Sequence, residues 1–352
     1  MSEVKLKTAL LGLNEQGQNL LKVASQIKYF DIQAVADNNT TLAEKTAKQY
    51  DSTAYDDYRQ LIVQNQFDCL IVAGPTHTCE EHICTAIKKK FNILKLAPAA
   101  RNFDEAVRFT QLAQNNKTVF AVATPMRFAQ SFIRVRELLQ QNQIEHVFLI
   151  TVTYAYYDPA YPAWYTDPTL AGGGVLLHDC YHLFDQILWN LPVPQQVYSL
   201  NTNQAYDKQQ RLYRTEDTAI VTMKFNDTLI GNLTACQHVT AGVKKEYLKI
   251  YGKDKTIKAS INRLTVTDGS GQIIEQRQYD DDMAYCTKKL LQNFALNILL
   301  PDNNLLCSSA GENLNVLAVI ESAYLSARTG CPEEPGRILQ MGSQQIPTSA
   351  KT

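Results

Sequence analysis

Over the first 125 residues, short apolar runs alternate with polar, alanine-rich stretches of helical spacing. Val4–Leu11, Ile32–Ala36, Phe67–Ala73, Ile93–Leu96 and Val119–Ala123 are the apolar runs, each bounded by turn residues. Thr40–Tyr50 and Phe103–Asn115 are the clearest helical stretches between them. Strands buried on both faces read as continuous apolar runs, so this alternation predicts βαβ units in a doubly wound parallel sheet. Past residue 145 the pattern changes. His146–Tyr156, Val197–Asn203, Ala219–Phe225, Leu229–Gln237 and Tyr247–Tyr251 are rich in Thr, Val and Tyr and partly alternate with a period of two. That predicts a large, open, mostly antiparallel sheet. Helices are expected near Met283–Leu299 and Gly311–Thr329, with an irregular tail after Gly330. The expected organisation is a Rossmann domain over 1–125, an α+β domain over 126–330 and the tail over 331–352.

Composition narrows the function classes. The 352 residues, 45% apolar and 20% charged, are ordinary for a globular chain with two cored domains. Lys and Arg number 34 against 35 Asp and Glu, so no basic field exists to hold nucleic acid or an anionic membrane. No stretch approaches the roughly 18 apolar residues of a membrane span, and the opening MSEVKLKTALLGLN is broken too early for a signal peptide. The eight cysteines are scattered without a CxxC pair, and several, such as Cys69 and Cys236, sit in apolar runs. Reduced core thiols in a cytoplasmic protein are expected.

The first strand leads into Gly12-Leu13-Asn14-Glu15-Gln16-Gly17, a G-x-N-x-x-G form of the dinucleotide fingerprint. In the usual form one glycine makes the turn, one lets the backbone approach the pyrophosphate and one lets helix pack on strand. Asn14 stands at the middle position, where its side chain has to be accommodated. Asp37 ends the second strand, where a carboxylate accepts from a ribose diol and repels a 2′-phosphate. Its neighbours Asn38 and Asn39 supply no arginine for that phosphate, so NAD is favoured over NADP.

Further landmarks follow in order: Ala73-Gly-Pro75-Thr76-His77-Thr78 after the third strand, Asn92-Ile-Leu-Lys95-Leu-Ala97-Pro98, Met126-Arg127-Phe128, Trp164, Gly172–Gly174, His178-Asp179-Cys-Tyr181-His182-Leu-Phe-Asp185, and Ser326–Gly330. This order resembles the glucose–fructose oxidoreductase / inositol dehydrogenase / rhizopine catabolism (Gfo/Idh/MocA) family of NAD(P)-dependent oxidoreductases, over residues 4 to 330. The resemblance implies that nicotinamide and substrate meet at the domain junction and that a sugar or polyol hydroxyl is oxidised, or its ketone reduced. It implies Pro75, Thr76 and His77 near the cofactor, Arg127 near the junction as a further cofactor contact, and a homodimer or homotetramer through the open sheet. The substrate contacts it suggests are Trp164, Tyr156 and Tyr181.

Departures from the family pattern matter. Where the family reads Glu-Lys-Pro, this chain has Leu96-Ala97-Pro98, so the lysine that orients the substrate hydroxyl is missing. Where the family has Asp four residues before the histidine, this chain has His178, followed by Asp179. Taking a proton from an alcohol needs a base that works near neutrality, a task suited to imidazole. His178 and His182 are spaced to share a helical face, and Asp185 is placed to orient His182. Lys95, two residues before Ala97, can extend toward the same cleft; a carboxylate partner or a solvent-facing edge are its other readings. The histidine pair with a nearby Asp also has metal-ligand spacing, but no clear further ligand, and no metal is expected. Cys79-Glu80-Glu81-His82 reads as the polar start of a helix. The aromatic run Tyr154–Tyr165 suits either sugar stacking or packing. A non-catalytic nucleotide-binding sensor of the same fold is the alternative, raised by the loss at Ala97.

Overall fold

The computed structural model describes residues 4–156, 162–203, 214–237 and 244–344. The chain divides into two compact units: one holds the residues up to Ala100, Asp104–Pro125 and Met283–Asn313; the other holds Arg101–Phe103, Met126–Asp282 and the chain from Leu314 on.

The first unit is a six-stranded parallel sheet: β1 (Leu6–Leu11), β2 (Phe30–Ala36), β3 (Thr53–Tyr55), β4 (Cys69–Val72), β5 (Asn92–Leu96) and β6 (Phe120–Ala123), in the order β3-β2-β1-β4-β5-β6. Its crossovers are α1 (Glu15–Ala24), α2 (Thr40–Gln49), α3 (Tyr58–Gln64), α4 (Thr76–Lys88) and α5 (Phe103–Asn116). β4 and β6 are buried at every position, which is why they read as unbroken apolar runs. Strand order reverses between β1 and β4, and the turns leaving their carboxyl ends make the crevice where such sheets bind ligands.

The second unit carries an eight-stranded sheet of β7 (Leu149–Ala155), β8 (Gln196–Thr202), β9 (Thr218–Lys224), β10 (Ile230–Cys236), β11 (Lys245–Tyr251), β12 (Lys255–Ser260), β13 (Arg263–Asp268) and β14 (Ile273–Gln278). The order is β14-β13-β12-β11-β7-β10-β9-β8, antiparallel except for the β7–β10 pair. Alternation is clean where one face is covered: in β9, Ala219, Val221 and Met223 are buried while Ile220, Thr222 and Lys224 are exposed. Helices α6 (Gln130–Gln140), α7 (Pro168–Ala171) and α8 (Tyr181–Asn190) also belong to this unit.

The C-terminal third departs from the expected boundaries. Helix α9 (Met283–Leu299) belongs with the first unit, packing on α1 and β6 through a face that buries Leu290, Leu291 and Phe294. Beyond it, Val122 N–H donates to the Ser308 carbonyl and Thr124 Oγ1 lies 2.8 Å from Ser308 Oγ. An amphipathic stripe announces a buried face but not the partner that covers it, so the expected 126–330 domain loses this segment. After α10 (Ala310–Thr329), the tail expected to be irregular contains α11 (Pro335–Gln344). Proline opens that helix at its first position, where a missing N–H costs nothing.

Candidate active site

The turn after β1 is built by close backbone approach. Gly12 has φ +88°, and a Cβ there would overlap the backbone of Gly74 after β4; a Cβ on Gly17 would overlap the Gly12 carbonyl. Asn14, at φ −60° and ψ 173°, is the N-cap of α1. Its Oδ1 accepts the Gly17 N–H at 2.8 Å and its Nδ2 donates to the Ala73 carbonyl at 2.9 Å, which ties the β1 and β4 turns together. The side chain that seemed to need room is thus part of the turn. Asp37 accepts the Leu13 N–H on Oδ2 at 2.7 Å and the Asn39 N–H on Oδ1 at 2.9 Å. Each carboxylate oxygen has a second lone pair available to a ribose hydroxyl. Gln16 and Asn38 are exposed beside it. The bare-backbone cradle, the start of α1 and the Asp37 carboxylate fit a dinucleotide.

Pro75 caps α4 without a side-chain bond, Thr76 is buried in its first turn, and His77 is half-buried next to it. Glu80 pairs with Arg108, and His82 stacks edge-on against Tyr58, so the Cys79–His82 run is a helix start. Lys95 lies on β5 between β4 and β6, 2% exposed, and its Nζ donates to the Leu96 carbonyl at 2.7 Å. Among the described residues it has no carboxylate partner, and it does not face solvent. Burial pushes its ammonium down to about 8, with the nearby Cys79 acting the other way.

In the second unit the two histidines part company. His178 lies in a π-helical turn, Val175–Asp179, and Cys180 breaks the helix before α8 begins at Tyr181. The straight-helix spacing therefore does not hold. His178 Nε2 sits 3.0 Å from the Ala171 carbonyl, with its ring against Trp164 and Tyr165. His182 Nε2 sits 2.7 Å from Glu246 Oε1 on β11, and Lys244 Nζ lies 2.5 Å from Glu246 Oε2. Burial acts to raise the Glu246 carboxyl, yet His182 and Lys244 hold it down to about 2. Asp179 is enclosed: Tyr154 and Tyr165 hydroxyls donate to it at 3.2 and 2.7 Å, and the Gln237 amide donates as well. Burial raises its carboxyl while those donors oppose the rise. These donors tie Asp179 to β7, to the Trp164–Tyr165 turn and to Gln237.

Asp185 does not orient His182. It is fully buried against Arg127, whose Nε and Nη2 reach its two oxygens at 2.9 and 2.6 Å. Trp189 stacks under that guanidinium, at 5.8 Å. Arg127 is itself 4% exposed, so its expected place beside a cofactor is taken up by this internal pair. Tyr181, expected at the substrate, is 1% exposed and part of the core; a residue opening a helix behind a break points wherever the break turns it. Trp164 is half-buried and Tyr156 exposed, while 157–161 of the aromatic run lie outside the described residues. Among the described residues no group of three His, Cys, Asp or Glu is placed to hold a metal ion. Sequence reasoning missed Glu246 and Gln237. They reach the histidine segment only through strand pairing far along the chain, and nothing local marks them. Tyr154 and Tyr165 at least lay in the aromatic run.

Both parts of the chain match known proteins. Residues 6–124 match the model of an oxidoreductase family's NAD-binding Rossmann fold, and residues 136–332 match that family's C-terminal alpha/beta domain. The myo-inositol 2-dehydrogenase of Thermotoga maritima is 22% identical over 274 residues, spanning 76% of this chain and 79% of its own. Among solved structures, an inositol dehydrogenase homolog from Azotobacter vinelandii with NAD+ superposes with a TM-score of 0.85 at 15% identity, covering 94% of this chain and 98% of its own. Levoglucosan dehydrogenase with NADH and levoglucosan gives 0.84 at 16%, covering 94% and 99%. Both parts of the chain, in their proper order, thus place it in the glucose–fructose oxidoreductase / inositol dehydrogenase / rhizopine catabolism family of NAD-binding oxidoreductases.

Proposed function

We propose that this protein is an NAD-dependent dehydrogenase acting on a hydroxyl-bearing carbon of a sugar, polyol or related compound, with His182 as the proton acceptor. The observation that carries the reading is the His182–Glu246 pair: a histidine held by a carboxylate that stays ionised. Glu246 accepts from Nε2–H, fixes the tautomer and leaves Nδ1 as the basic nitrogen. When the substrate hydroxyl gives up its proton to Nδ1, the imidazolium that forms lies beside the Glu246 carboxylate, which favours it. Bound NAD supplies the hydride acceptor. His178, Trp164 and Tyr156 are the proposed substrate contacts, and Asp179 holds the Tyr154–Tyr165–Gln237 group around them.

Gly12, Leu13, Asn14, Gln16, Asp37 and Asn38 hold the adenosine and pyrophosphate, with Pro75, Thr76 and His77 further along the cofactor. Asp37→Ala is expected to weaken NAD binding roughly tenfold and to narrow the preference over NADP, because the ribose loses its acceptor and the repulsion of a 2′-phosphate disappears. Fluorescence titration with both dinucleotides measures this.

Relatives that bear sugar and polyol names support the substrate class. The test is titration with NAD and NADP, followed by absorbance of reduced nicotinamide across inositols, aldoses and anhydrosugars. Binding without turnover on that panel favours the sensor alternative, and failure to bind either dinucleotide removes both readings.

Assembly through the open sheet face is part of the proposal. Leu200 pairs with Ile220 across β8 and β9, and the two are 60% and 49% exposed. Isolated apolar residues are ordinary on a surface, but a facing pair on a broad sheet suits an interface. Leu200→Arg with Ile220→Arg is expected to convert a dimer or tetramer to monomers in sedimentation velocity. Among the described residues no helix is long and apolar enough to cross a membrane. The eight free thiols fit a reducing, cytoplasmic setting.

A further inference from the structure

The three glycines before the histidine segment lie against one acidic residue that the catalytic reading leaves unused. Glu216, immediately ahead of β9, receives three successive backbone amides. Gly174 N–H donates to its Oε2 at 2.8 Å, Val175 N–H to its main-chain carbonyl at 3.0 Å, and Leu176 N–H to its Oε1 at 3.0 Å. The Tyr324 hydroxyl, from α10, donates to Oε1 at 2.7 Å. Gly173 and Gly174 are what allow this contact: a Cβ on Gly173 would overlap the Tyr324 hydroxyl, and one on Gly174 would overlap the Glu216 carbonyl. From there the bonds run on into the segment. The Gly174 carbonyl accepts the His178 N–H at 3.0 Å, and the Val175 carbonyl accepts the Cys180 N–H at 2.9 Å.

We infer that Glu216, braced by Tyr324, is a positioning residue that sets where His178 and Asp179 stand for catalysis. The inference rests on the dehydrogenase reading above. A carboxylate at the start of a helical segment answers both its unsatisfied N–H groups and its dipole. Burial pushes the Glu216 carboxyl up to about 7, a cost that a neutral residue chosen for packing alone would not carry. The amide of Glu216→Gln has only one acceptor oxygen, so its NH₂ would face an N–H donor of the turn.

The test uses the full chain with Glu216→Gln and, as a milder change, Tyr324→Phe. Dinucleotide titration, turnover and the imidazole 15N–1H spectrum are recorded for each, with the His178 ring assigned from His178→Ala. The expected result for Glu216→Gln is NAD affinity within about twofold of wild type, kcat lowered by about tenfold to a hundredfold, and displaced His178 ring resonances. Tyr324→Phe is expected to move the same resonances the same way by less. A folded Glu216→Gln with unchanged resonances and unchanged kcat overturns the inference. So does a loss of kcat that simply follows the unfolded fraction while the His178 signals stay in place. If Glu216→Gln does not fold, Tyr324→Phe decides: unmoved His178 resonances with wild-type kcat count against the inference. The spectrum needs no substrate, so absence of turnover in wild type defeats the dehydrogenase reading and still leaves the positioning role decided.

Discussion

His182→Ala is expected to lower kcat by about a hundredfold to ten-thousandfold, the range over which a positioned general base acts. NAD affinity is expected to stay within about twofold, because the loss concerns proton transfer rather than the groups that hold the dinucleotide. The Glu246 pairing makes the prediction specific. Removing the imidazole takes away one of the two groups that hold the Glu246 carboxyl down and leaves Lys244 beside it. Glu246→Gln is expected to give a smaller loss, since His182 remains but its tautomer and its developing charge are no longer held. Stopped-flow turnover alongside dinucleotide titration separates these effects. A His182→Ala enzyme with wild-type kcat would remove the base assignment.

The second large effect is on stability. Lys95→Met is expected to stabilise the protein at pH 7 by about 3 kcal/mol, taking the fall from the ordinary 10.5 to about 8 at about 1.4 kcal/mol per pH unit. The sign follows from proton uptake. Below about 8 the ammonium is charged in both folded and unfolded chains, so burial destabilises by its full amount. As pH rises from 8 toward 10.5 the folded state loses the proton first, and the penalty fades. The melting temperature of Lys95→Met should therefore exceed that of wild type clearly at pH 7 and by much less at pH 10. Turnover is expected to remain within about threefold, because Lys95 is 2% exposed and its Nζ donates to the Leu96 carbonyl inside the sheet. A collapse of turnover would instead give Lys95 the role of the lysine absent at Ala97.

Much of the first unit was legible because each local signal pointed the same way. Apolar runs marked buried parallel strands, Gly12 and Gly17 marked the close turn, and Asp37 marked the end of the second strand. The histidine segment was less legible. His178 and His182 were visible as residue types, but their shared face assumed an unbroken helix, and the π-helical turn ending at Cys180 sends them to different partners. Asp185 illustrates the same limit. A carboxylate three residues past a histidine is a sound guess for its partner, yet Arg127 from another element claims it with a bidentate, buried pair.

What the sequence by itself determined is whatever depends on spacing along the chain: the two kinds of sheet, the nucleotide turn and the presence of two histidines after three glycines; the lysine absent at Ala97 is visible only through the family resemblance. Only the tertiary structure decided the pairings. Glu246 reaches His182 from a strand 64 residues later, and Glu216 reaches Gly174 from 42 residues later. Such contacts are set by strand register and helix breaks, which bring together groups whose neighbours in sequence carry no trace of the meeting.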